Sequence, residues 1–391
     1  MPLLAALAAN AAAQSFLLVV LPGLGRELGF TGLQTGAMLG VGALFLMISA
    51  PFWGAASETR GRKPILVIGL VGAAIGPGLT AAIIALRVEG AVGAGFALLL
   101  MFCARLLQSL LSGGLLPAAQ AWMADITSSE NRAEGMGLLG GSYGLGAIGG
   151  AAVALGFGGS HPAMALGLLA ALIGLGLVFV LLALEHVASR ERRPHAMWRD
   201  LVLARIWPGL LITALGVCVF AIMQHVTALR LEDSFQMVRS DAISSAGGIL
   251  MCASFAMILT QAFGVRALRA LPPVLMLAGS LIAVMSMLMV GSAATIPALF
   301  ASMVGMGIGL GLLLPGNLAF LSFVAGAHAQ GRLAGVNAIA QGIGLAAGPV
   351  LGSILHRQSP DLPGFVAAFG MALALCLSIM LRWRRWNDRV S

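Results

Sequence analysis

Apolar residues in this chain come in long, nearly unbroken runs, without the two-residue alternation of a half-buried strand or the one-sided stripe of a surface helix. Runs of about 20 mostly apolar residues, the length that crosses a bilayer as a helix, fall at roughly 3–25, 33–56, 64–86, 91–122, 134–157, 162–184, 206–230, 242–264, 272–292, 295–324, 334–356 and 363–382. Backbone N–H and C=O groups find no water in hydrocarbon, so each run is predicted to be a helix. The fourth and tenth runs are rich in Gly and Pro and long enough to tilt or kink. The first run lacks a basic leader and further spans follow it, so it reads as a retained helix and not as a cleaved signal. Spans totalling roughly 250 residues leave no room for a separate soluble domain.

Composition agrees with this pattern. Charged residues make up 9% of the 391 and hydrophobic residues 59%, against roughly 25% charged in a soluble domain. Mean hydropathy is +0.99. Such a chain cannot cover its own surface with polar groups, which excludes a soluble enzyme. The net charge of +8 sits in short segments between apolar runs, where it marks topology and not nucleic-acid binding. Cys103, Cys218, Cys252 and Cys376 all fall within apolar runs with no metal-ligand spacing, so neither disulfides, a metal site nor a cofactor is expected.

Basic residues are unevenly shared between alternate loops. With the N-terminus inside, sixteen Lys and Arg fall on the cytoplasmic side, including Arg60, Arg62, Lys63, five between Arg190 and Arg205, and four in the C-terminal tail. Five fall outside: Arg26, Arg87, Arg230, Arg239 and Arg357. Both termini and the central loop are therefore expected in the cytoplasm. Trp383 and Trp386 among the tail arginines look like an interfacial anchor.

The chain also repeats. Leu115-Leu116-Pro117 recurs 198 residues later as Leu313-Leu314-Pro315, and in the same register Gly137, Gly144, Gly146 and Gly150 meet Gly335, Gly342, Gly344 and Gly348. The predicted fold is thus an all-α polytopic membrane protein, with twelve transmembrane helices in two pseudo-symmetric six-helix halves. The halves are residues 1–184 and 206–391, joined by a cytoplasmic linker at 185–205. That is an architecture of transporters, with the substrate site between the halves near mid-membrane. Duplicated halves make a monomer sufficient for transport.

Between the second and third runs stands Gly54-Ala-Ala-Ser-Glu58-Thr59-Arg60-Gly61-Arg62-Lys63-Pro64. It resembles the loop signature of the major facilitator superfamily, Gly-x-x-x-Asp-Arg-x-Gly-Arg-Arg/Lys, with Glu58 for Asp and Thr59 for Arg. The resemblance implies a latch on the outward-facing state, carried by Glu58 and Arg62. In the fourth run, Arg105-Leu-Leu-Gln108 resembles the Arg-x-x-Gln-Gly motif of the drug:proton antiporter branch, with Ser109 in the Gly position. The stretch from Pro117 through Gln120 and Trp122 to Asp125, Asn131 and Arg132 is similar to the same branch, and Asp125 and Arg132 read as structural loop charges. That branch carries Gly-x-x-x-Gly-Pro in its fifth helix, a motif associated with export. Here Gly146-x-x-x-Gly150 is followed by Ala151, and the intact pattern stands in the eleventh run as Gly344-x-x-x-Gly348-Pro349.

Arg105 lies about 14 residues in from the outer end of its run, near mid-membrane at ~1.5 Å per residue. A guanidinium there must face a wet cavity or a partner, and Gln108, one turn on, shares its face. All 14 acidic residues map to loops or run ends. A cationic substrate then has no buried counter-ion, whereas a neutral, anionic or zwitterionic one can meet Arg105. In the first run, Asn10 and Gln14 stand where many proton-coupled relatives place a carboxylate. His225, beside Gln224, is of the one residue type that can titrate near neutral pH and is the candidate for proton handling; the alternative is a histidine that packs near the outer end of its helix. Asn317, Gln341 and Gln261 are open between lining a cavity and hydrogen bonding between helices.

No clustered nucleophile, acid–base pair or metal set stands at membrane depth, so no enzymatic activity is expected. The expected function is secondary active transport in a bacterial inner membrane: proton-coupled efflux of a small organic molecule, such as a metabolite, siderophore or drug-like compound, by alternating access. The alternative is uptake of a small polar or anionic nutrient by the same fold.

Overall fold

The computed structural model describes residues 2–127, 132–183, 203–268, 271–325 and 330–390. Among the described residues there are helices and no strands. They are α1 Pro2–Glu27, α2 Gly32–Arg60, α3 Arg62–Val88, α4 Ala94–Ser112, α5 Leu115–Ile126, α6 Arg132–Val153, α7 Pro162–Ala183, α8 Leu203–Phe235, α9 Arg239–Leu259, α10 Val265–Leu268, α11 Pro272–Ser292, α12 Ile296–Ala325, α13 Gln330–Gln358 and α14 Leu362–Val390. Single π-helical turns follow α6 at Ala154–Gly158 and α9 at Thr260–Gly264. Merging α4 with α5 and carrying α6 and α9 through their π turns gives twelve helices long and apolar enough to cross a membrane. Each coincides with one of the predicted runs. The expected linker lies outside the described residues as far as 202, and nothing is described of the side chains of Trp383 and Trp386.

The chain divides into two compact units, Met1–Arg193 with Val238–Gly248, and Pro194–Met237 with Ile249–Ser391. In the first unit α1 packs along α6 and α7, and α3 along α7 and α4. In the second, α8 packs along α13, and α11 along α12 and α14. Both units bury large faces of Ala, Leu and Met, while many Leu, Ile and Phe stay exposed around the outside. That distribution suits a hydrocarbon solvent, in which outward apolar side chains carry no penalty.

Two helix pairs show why small residues recur at offset 198. A Cβ on Gly146 of α6 would lie 2.2 Å from the Ala8 carbonyl oxygen of α1, and one on Gly150 2.2 Å from that of Ala12. On α13, a Cβ on Gly344 would lie 2.6 Å from the Ala214 oxygen of α8, and one on Gly348 3.0 Å from that of Cys218. In each unit the equivalent glycines let two backbones touch, which is how membrane helices gain packing when apolar burial alone gives none. Pro349 follows Gly348 inside α13 and interrupts its ladder without ending the helix.

Candidate functional site

Arg105 and Gln108 lie one turn apart on α4, and Arg105 Nη1 donates to Gln108 Oε1 at 2.8 Å. Gln108 is buried and Arg105 half-buried. Both depend on glycines of neighbouring helices. A Cβ on Gly42 of α2 would lie 2.8 Å from Arg105 Cγ and Nε, and one on Gly76 of α3 2.5 Å from Gln108 Cδ. The stem of the arginine therefore fills a notch in α2, and the amide fills one in α3. Arg105 Nε is buried and has no hydrogen-bond partner among the described residues. The result is a membrane-embedded guanidinium held by a neutral amide, with donors to spare.

Five residues after Gln108, α4 breaks at Gly113 and Gly114 before α5 begins. Pro117 lacks the N–H that would have met the Gly113 carbonyl. Carbonyls just ahead of the break also accept from side chains. Ser112 Oγ donates to the Gln108 oxygen, Ser49 Oγ of α2 to that of Ser109 at 3.2 Å, and Trp53 Nε1 to that of Leu110 at 2.6 Å. These bonds tie the turn that carries Gln108 to α2. Neither Ser49 nor Trp53 stands out in the sequence, because each acts across a helix contact.

At the end of α2 the chain reverses through Gly61, whose φ of 89° and ψ of 162° suit glycine alone. Arg62, the first residue of α3, is buried; its Nε lies 3.1 Å from Asp125 Oδ2 at the end of α5, and its Nη1 donates to Ser57 Oγ at 2.8 Å. Of the two residues expected to carry the latch, Glu58 is exposed, and Arg62 turns to Asp125 and Ser57. Lys63 Nζ donates to the Leu181 carbonyl at the end of α7, a cation on the negative end of a helix. Gly54 has a methyl's worth of room, with Pro117 Cβ at 3.9 Å from the position of an added Cβ.

The other candidates are dispersed. In α1, Gln14 Nε2 lies 3.4 Å from Asn10 Oδ1, with Asn10 buried and Gln14 half-buried. Asn317 of α12 is fully buried; its Nδ2 donates to the Gly209 carbonyl at 2.7 Å and to Thr213 Oγ1 at 2.9 Å, and Thr213 donates in turn to Asn337 Oδ1 of α13 at 2.8 Å. Asn317 therefore bonds between helices, and Thr213 and Asn337 are partners that the sequence alone does not single out. Gln341 of α13 and Gln261 in the π turn after α9 are exposed. Gln224 is buried beside His225. His225 is fully buried where α8 meets α13, with Nε2 2.7 Å from Ser353 Oγ. Among the described residues no group of three His, Cys, Asp or Glu stands close enough to hold a metal ion.

The chain matches the family model for the Major Facilitator Superfamily over residues 3–349. It is 24% identical over 373 residues to Multidrug resistance protein 1 of Bacillus subtilis, spanning 92% of this chain and 90% of that protein. It is 29% identical over 120 residues to the quinolone resistance protein NorA of Staphylococcus aureus, covering 31% of this chain and 28% of NorA. The fold is similar to that of the human organic anion transporter MFSD10, with a TM-score of 0.69 at 19% identity over 96% of this chain and 98% of that one. A POT family transporter bound to a thioalcohol-conjugated peptide gives a TM-score of 0.74 at 13% identity, over 98% and 96% of the two chains.

Proposed function

The chain belongs to the major facilitator superfamily, and on that premise we propose that it exports a small organic molecule from a bacterial cell by alternating access, driven by protons. It is a multi-pass membrane transporter and not an enzyme. In this reading the moving bodies are residues 1–184 and 206–391, both termini face the cytoplasm, and the membrane is the inner one. Export is supported by relatives named for resistance to multiple drugs and to quinolones.

The observation that carries the substrate class is the Arg105–Gln108 pair. Gln108 takes up one guanidinium nitrogen, Nε has no partner, and no described carboxylate pairs with the charge. A guanidinium presents its donors as a planar fork that fits a carboxylate or another flat, electron-rich oxygen group. The preferred cargo is accordingly a neutral or anionic organic molecule, with Arg105 and Gln108 as its contacts and Gln14 as a further polar group of the pathway. His225 handles the coupling proton.

The test is an untargeted mass-spectrometric comparison of cells and medium for three strains: a deletion, the deletion carrying the wild-type gene, and the deletion carrying Arg105→Ala. Export is supported by a compound that accumulates inside the deletion strain and leaves again when the wild-type gene is restored. A carboxylate that Arg105→Ala fails to clear supports the anion contact. A compound depleted in deletion cells and left in the medium makes the protein an importer.

A further inference from the structure

The end of α8 that is predicted to face outward carries a second ionisable cluster. Besides the Thr213–Asn337 bond, two hydrogen bonds join α8 to α13 towards this end, each through an imidazole. Deeper in, His225 Nε2 lies 2.7 Å from Ser353 Oγ. Two turns nearer the helix end, Asp233 Oδ2 lies 2.7 Å from His356 Nε2. Ser353 and His356 sit one turn apart on α13, so the two contacts stack along one helix seam. Their exposure is graded: the Asp233 side chain is 33% exposed and that of His356 4%, while His225 is at 0%.

The deeper contact assigns its own protons. Ser353 Oγ donates to the Pro349 carbonyl at 2.8 Å, which leaves it to accept from His225 Nε2–H. His225 Nδ1 is then a bare lone pair, buried and without a partner among the described residues. A seam that needed only packing would be cheaper with an apolar side chain, because a buried polar nitrogen without a partner is costly. Protonation at Nδ1 would create a cation at a point where no described acceptor meets that nitrogen.

The charged and titratable neighbours are few. On α8 they are Arg230, Glu232 and Asp233 above His225 and Cys218 two turns below; on α13 they are His356 and the exposed Arg357. α12, which packs on α8, has no ionisable side chain, and α14 has only Cys376 before Arg382. Arg230 is engaged elsewhere, with Nη2 2.7 Å from Asp361 Oδ1 and weaker bonds to the Pro360 and Ala293 carbonyls.

We propose that the Asp233–His356 pair is the proton-loading site of this transporter, with His225 and Ser353 as the second station of the same α8–α13 seam. A proton from the outer water converts the imidazole of His356 to imidazolium against the Asp233 carboxylate. A proton that reaches His225 Nδ1 charges the seam where it lacks a counter-ion and so favours its rearrangement. Coupling would thereby run through histidines in a chain with no carboxylate deep in its spans. The inference rests on the proton-coupled reading above and adds the residues that carry it.

The full chain is reconstituted in liposomes with ethidium and Lucifer yellow as cationic and anionic probes. Uptake is measured with an acid interior and again at equal pH on both sides. For the wild type, accumulation under the gradient exceeds the equal-pH rate for at least one dye. For His356→Asn, the ratio of gradient-driven accumulation to equal-pH rate falls at least ten-fold, and Asp233→Glu retains more of it than Asp233→Asn. A merely structural role lowers both rates together and leaves the ratio unchanged, which overturns the loading site. A wild type that drives neither dye under the gradient overturns proton coupling itself.

Discussion

A Cβ on Gly42 would lie 2.8 Å from both Cγ and Nε of Arg105, so a missing side chain on α2 sets where the guanidinium of α4 can stand. Because the arginine stem is flexible, Gly42→Ala should be partly absorbed, whereas Gly42→Val should push the charge off Gln108. We expect Gly42→Val to cut the rate of transport about ten-fold, equivalent to about 1.4 kcal/mol, with folded protein on size exclusion close to wild type. Transport at the wild-type rate by Gly42→Val would show that the position of Arg105 is immaterial to transport.

The buried Arg62–Asp125 pair ties the start of α3 to the end of α5. Removing one partner leaves an uncompensated charge, which costs about 3–5 kcal/mol for a buried pair. Asp125→Ala and Arg62→Ala should therefore each lower the melting temperature in detergent more than Glu58→Ala, whose side chain is exposed. A larger loss in Glu58→Ala than in Asp125→Ala would contradict the weight placed on the buried pair.

Glycines in α6 divide into two kinds. A Cβ on Gly150 meets the Ala12 carbonyl oxygen and the Phe16 nitrogen, whereas one on Gly140 meets nothing within 4 Å. Gly150→Ala must part α1 from α6 and should cost about 1–3 kcal/mol. Gly140→Ala should be neutral or stabilise by up to about 1 kcal/mol, from lower backbone entropy. Thermal unfolding of the two variants side by side decides this, and equal effects would contradict the close approach.

Asn317, Thr213 and Asn337 form one buried network across α12, α8 and α13. Asn317→Ala and Thr213→Val should each destabilise by about 1–3 kcal/mol. The double variant should lose less than their sum by about 0.5–3 kcal/mol, as residues of one network do. Strict additivity in a double-mutant cycle would mean that the bonds act independently.

The number of spans, their limits to within a few residues, and the superfamily are all legible in the order of residues. Those features are local or linear: bilayer thickness fixes how many apolar residues a helix needs, and every backbone group in lipid must bond within its own helix. The sequence also singled out Arg105 with Gln108, because two polar groups one turn apart in an apolar run must share a face. The partners were another matter. Asp125 for Arg62, Ser353 for His225, Asp233 for His356, Thr213 and Asn337 around Asn317, and Gly42 behind Arg105 all emerged only from tertiary structure. A soluble helix shows its inner face by polar residues on the outer one, but a helix in lipid is apolar all round and carries no such mark. Which residue meets which then depends on helix rotation and on which helices are neighbours, and only the packed fold decides both.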